Sequence, residues 1–84
     1  LRQFEIFAKL AETGNMNEAA AALGLTQPAL SQQLRALEQR LGLKLFERLP
    51  KGLQLTPSGR ELIGPARMVL SAAKDFGDAA DHVA

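Results

Sequence analysis

Eighty-four residues, 46% of them hydrophobic and 23% charged, make one folded domain with a single core and exclude a disordered chain. The absence of Cys leaves no disulfide framework and no thiolate metal site, and the single His (His82) has no carboxylate cluster beside it. The net charge of +1 hides a split: residues 35–67 carry Arg35, Arg40, Lys44, Arg48, Lys51, Arg60 and Arg67 against Glu38, Glu47 and Glu61, whereas the segments on either side are acidic.

The elements follow in chain order. Phe4, Phe7, Ala8 and Ala11 form a helical stripe widened by Ile6 and Leu10, and Gly14 is placed to end that first helix. Asn17 reads as the N-cap of a short second helix, Glu18 to about Leu23, with Ala19, Ala20 and Ala22 small enough for close approach. Gly24 supplies a turn and Leu25 a plug beneath it. Thr26 caps a third helix from Gln27 to about Leu41, with Pro28 in its first turn and Gly42 closing it. Leu30, Leu34, Leu37 and Leu41 are its apolar stripe.

After Gly42 the period shortens. Alternation across Leu43–Arg48 and Leu53–Leu55, around Pro50-Lys51-Gly52, predicts a two-stranded hairpin with its tip at Leu49–Gly52. Thr56-Pro57 then opens a long helix to about Val83. Leu62, Ala66, Val69, Ala73, Phe76, Ala80 and Val83 recur at alternating spacings of four and three, a heptad seam. The inner part of that seam is expected on the first helix and the outer part in a homodimer. Pro65 is expected to kink the helix near Glu61. The order is mainly α: a winged helix-turn-helix of three helices and a hairpin in residues 1–57, then a linker and dimerisation helix in residues 58–84.

The third helix carries the functional signal. Gln27, Ser31, Gln32 and Arg35 lie opposite its leucines, and no charge occurs from Gln27 to Gln33. Such a set exchanges hydrogen bonds with base edges, and no carboxylate there repels DNA. Thr26 starts a helix whose free N–H groups can hold a phosphate. Lys51 at the hairpin tip and Arg48 before it can clamp the flanking backbone, although Arg48 has the competing option of an ion pair with Glu38 or Glu47. Ser31 and Ser58 lack a neighbouring base and phosphate-cradling glycine loops are absent, so no enzyme chemistry is expected. A winged-helix module that binds protein, or a structural dimerisation fragment, is the alternative.

With these residues the chain resembles the N-terminal DNA-binding domain of LysR-type transcriptional regulators. The match runs through Phe4, Phe7, Ala19-Ala20 and Leu23, then Gln27-Pro28-Ala29-Leu30-Ser31, Gln33-Leu34 and Leu37-Glu38. It continues through Leu41-Gly42, Leu45-Phe46, Arg48, Leu55-Thr56 and Gly59. Asn17 stands where the family often has Ser or Thr, and Met16 where an aromatic is common. The resemblance implies base contacts from Gln27, Pro28, Ser31, Gln32 and Arg35, and phosphate contacts from Thr26, Arg48 and Lys51. Gln32 matches a position that varies within the family and would help set the sequence read. The resemblance also implies a homodimer through the linker helix, tetramers that bend promoter DNA, and a C-terminal domain that binds a small-molecule effector. No cofactor is expected in this domain. Opening on Leu1 and ending inside a helical pattern at Ala84, the sequence reads as a piece of a longer protein. Without a membrane-spanning run or a signal-peptide pattern, a cytoplasmic location is expected.

Overall fold

The computed structural model describes residues 1–84. Its elements are α1 (Arg2–Thr13), α2 (Met16–Leu23), α3 (Gln27–Leu41), β1 (Phe46–Leu49), β2 (Gly52–Leu55) and α4 (Pro57–Val83). This is the order expected for a winged helix-turn-helix followed by a long helix.

Local chemistry sets most of the boundaries. Thr26 Oγ accepts the Ala29 N–H at 3.2 Å, and Thr56 Oγ accepts the Gly59 N–H at 3.0 Å. Each therefore satisfies one of the N–H groups that a helix start leaves free. The first three helices end on left-handed residues, Gly14, Gly24 and Gly42. The start of α2 departs from expectation. Asn15, not Asn17, is its cap, because the Asn15 Oδ1 reaches the Glu18 N–H at 2.9 Å. A capping oxygen serves the N–H two or three residues on, and that geometry places Asn17 inside the helix with its side chain exposed.

Twelve apolar residues form the core: Ile6, Phe7 and Leu10 of α1, Ala19 and Ala20 of α2, Leu30, Leu34 and Leu37 of α3, Leu45 and Phe46 at the hairpin, and Ile63 and Ala66 of α4. Ala19 and Ala20 are the close-approach alanines, whereas Ala22 faces solvent. The stripe of α1 is centred on Ile6 and Leu10, with Phe4, Ala8 and Ala11 at its margins. Leu41, expected in the stripe of α3, is 45% exposed at the rim of an apolar cleft that it lines with Phe4, Leu62 and Val69.

The hairpin pairs Phe46 with Leu55, Glu47 with Gln54, Arg48 with Leu53 and Leu49 with Gly52, leaving Pro50 and Lys51 as the turn. Leu43 to Leu45 lie before the strand, so β1 is shorter than the alternation predicts. Two close approaches fix where the hairpin sits. The Gly14 carbonyl accepts the Leu53 N–H at 2.9 Å, and a Cβ at Gly52, whose φ is 116°, would strike that carbonyl. On the other side, a Cβ at Gly59 would drive into the Leu45 carbonyl oxygen and press on Leu55 Cδ2. Gly59→Ala is therefore expected to cost ~1–3 kcal/mol of folding stability, read as a lower urea midpoint at unchanged slope. An unchanged midpoint would show that α4 can lift off the hairpin without penalty.

The long helix is continuous through Pro65. Its deepest residues are Gly59, Ile63 and Ala66, and Leu62 packs partly buried against the same core. Beyond Ala66 the seam emerges from the body. Val69 is 38% exposed, Phe76 78% and Val83 86%. At ~1.5 Å per residue, Phe76 lies about 15 Å past the last core residue.

Candidate nucleic-acid interface

The apolar stripe of α3 is held down by α1 and α2, and this leaves the opposite face outward. Pro28, Gln32 and Arg35 are exposed there, with Gln27 and Ser31 half-buried beside them. An Arg35 Nη2 donates to Ser31 Oγ at 3.3 Å, one turn earlier, which lays the guanidinium along the helix. Its remaining donors are free of protein partners. Thr26 is exposed at the head of this face.

The hairpin stands next to it. Alternation puts Phe46 and Arg48 on the same face of β1, opposite Leu55 and Leu53. Phe46 is buried and Arg48 is exposed beyond the edge of the core, so its side chain overhangs the helices. Arg48 borders two clefts. One lies between α3 and the hairpin and is shared with Ser31 and Arg35. The other is shared with Asn17, Gln27 and the hairpin turn. Lys51 is exposed in the turn itself.

The competing role of Arg48 is absent. The ion pairs of the chain are Arg2–Glu5, Lys9–Glu12 and Lys74–Asp78, all within α1 or α4. Glu38, a possible Arg48 partner, instead accepts the Leu45 N–H at 2.7 Å. Every cation from Arg35 to Arg67 is consequently free of carboxylates, although Arg40 donates to Gln3 and Arg60 to the Leu55 carbonyl. An unpaired cation next to an uncharged hydrogen-bonding face suits a polyanion better than a neutral partner.

Of the residues singled out from sequence, Ser31, Arg35 and Arg48 meet at one cleft and Gln27 and Arg48 at the other. Pro28, Gln32, Thr26 and Lys51 are exposed outside both. Of the seam residues, Ala66 lies in the core and Leu62 packs against it, while Val69, Phe76 and Val83 are exposed along α4, away from these clefts. Two residues were missed. Asn17 enters the second cleft once Asn15 takes over the cap, a step the Asn15–Glu18 spacing could have signalled. Lys44 enters the first, and only the basic count of the middle segment hinted at it.

Comparison with known proteins bears on this geometry. The model for bacterial regulatory helix-turn-helix proteins of the lysR family matches residues 1–60. The HTH-type transcriptional regulator TfdS of Cupriavidus pinatubonensis is 44% identical over 77 residues, which cover 92% of this chain and 26% of that protein. The chain thus spans about a quarter of the length of such relatives. Among solved structures, the CbnR_DBD-DNA complex superposes with a TM-score of 0.90 at 39% identity, covering 98% of this chain and 94% of that one. The BenM_DBD/catB site 1 DNA complex superposes with a TM-score of 0.93 at 29% identity, covering 98% and 92%.

Proposed function

We propose, since the chain belongs to the lysR family of bacterial regulatory helix-turn-helix proteins, that it is the part of a transcriptional regulator that reads double-stranded DNA by sequence. In this reading α3 lies in the major groove. Gln27, Pro28, Ser31, Gln32 and Arg35 face the base edges, and Thr26, Arg48 and Lys51 hold the phosphates on either side. The observation that carries it is the juxtaposition on one side of the molecule: an outward α3 face without carboxylates in its first two turns, flanked by Arg35 and Arg48, neither in an ion pair. The DNA complexes of the two structural relatives support it.

The outer half of α4 supports a homodimer. Phe76, Ala79, Ala80 and Val83 form an exposed apolar strip in a helix otherwise fringed by charge. A two-fold pairing of such strips would present two copies of α3 to DNA at once.

Selection of bound duplexes from a random pool, followed by Arg35→Ala on the selected sequence, tests the reading. The substitution is expected to cost ~1–3 kcal/mol of binding and to relax preference at one base position. An equal loss on all sequences would make Arg35 a phosphate contact. A pool from which no sequence is enriched would leave only non-specific binding.

A further inference from the structure

We infer that Lys44 is a phosphate contact, and that it seats one DNA strand in the cleft between α3 and the hairpin together with Arg48. This rests on the DNA-binding reading and extends it to a residue outside both the α3 face and the hairpin. The cleft has a volume of about 240 Å³ and is lined by three cations, Arg35, Lys44 and Arg48, against one carboxylate, Glu38. That carboxylate is engaged by the Leu45 N–H at 2.7 Å. It neutralises none of the three at ion-pair distance.

The backbone at Lys44 is stapled from two directions. Thr56 Oγ donates to the Lys44 carbonyl at 2.6 Å, and the Thr56 N–H donates to the Leu45 carbonyl at 3.0 Å. Glu38 of α3 holds the intervening Leu45 N–H. The loop that carries this lysine is thereby tied to both α3 and the start of α4. The side chain itself makes no hydrogen bond, is exposed, and also borders the adjoining cleft at the end of α3 with Arg35. An unpaired ammonium on a fixed backbone, facing another free cation across a cleft, is suited to a phosphodiester oxygen. A strand that leaves the α3 face toward the hairpin must cross this cleft, because the two elements form its walls.

The test is the salt dependence of binding to a mixed-sequence duplex of about 30 base pairs, followed by fluorescence anisotropy between ~50 and ~200 mM salt. Lys44→Gln is expected to lower the log–log slope by about 0.9 and to weaken binding about five- to tenfold near ~0.1 M salt. Lys44→Arg is expected to keep the parental slope. Lys74→Gln, which removes an equal charge far along α4, is expected to leave the slope unchanged. A Lys44→Gln slope equal to the parent's overturns the assignment and leaves DNA binding standing. An equal drop in Lys74→Gln also overturns it, since net charge alone would then account for the effect. A parent without salt-dependent binding overturns this inference and the DNA-binding reading together. Because Lys44 is tied through its backbone and not its side chain, the variants are expected to unfold at the parental midpoint.

Discussion

Phe7→Ala is expected to leave most of the chain unfolded at 37 °C. Phe7 is 2% exposed and stands at the centre of the core. Its ring meets that of Phe46 edge-to-face, with centroids 5.7 Å apart and planes at 86°. Truncating a buried Phe removes its transfer free energy and leaves a cavity, typically ~3–5 kcal/mol. Domains hold only roughly 5–15 kcal/mol in total, and small ones lie at the lower end. The effect also has a direction in the structure. Phe46 opens β1, so loss of its aromatic partner loosens the hairpin that carries Arg48 and Lys51. Circular dichroism on heating would show a midpoint lowered by more than 10 °C or no cooperative transition. A midpoint within a few degrees of the parent would mean that Met16, Leu53 or another partly buried neighbour refills the space.

Phe76→Asp is expected to leave folding intact and to abolish the homodimer proposed through α4. Phe76 is 78% exposed and lies well beyond the last core residue, so little packing within one chain is lost. In a two-fold pairing of α4 helices the side chain is buried twice, once from each copy. Burying one Phe gives ~1.5–3 kcal/mol, and two aspartates in its place would bring like charges into an apolar strip. Sedimentation at micromolar concentration would then show a monomer. Linking two readers raises affinity by about 10²–10⁴ through effective concentration alone. The same variant is therefore expected to lose about a hundredfold or more on a duplex with two half-sites, with little change on one half-site. A dimer that survives the substitution would assign the contact elsewhere, for example to the exposed Met68 and Val69 closer to the body.

Much of this protein was legible in its sequence, and the legible parts share a cause. Thr26, Thr56, Pro28, Pro57 and the glycines at 14, 24 and 42 act on backbone groups within a few residues of themselves. Helix starts and stops are therefore written where they occur. The outward set on α3 was legible for a related reason: once Leu30, Leu34 and Leu37 are placed inward, helical geometry leaves Gln32 and Arg35 outside.

The remainder was decided by which of several competing partners a group meets once the chain is folded. Two asparagines compete to start α2, and Asn15 wins because its oxygen lies on the Glu18 N–H while its own N–H is held by Thr13 Oγ. The heptad of α4 places Leu62 and Ala66 toward the body, and both pack there, Leu62 only partly buried. The heptad does not foretell Ile63, which the close approach of Leu45 and Leu55 to Gly59, one turn earlier, brings inward as well. Arg48 and Glu38 are opposite charges within reach on paper, and no local rule separates them. The fold does so by giving the carboxylate a backbone N–H at Leu45, seven residues further along the chain, and this releases the arginine. Sequence alone determined the elements, their order and the polar face of α3, because those depend on interactions within one or two helical turns. Which cations stand free around that face was decided only in three dimensions, where each buried or half-buried polar group takes the nearest partner that folding supplies.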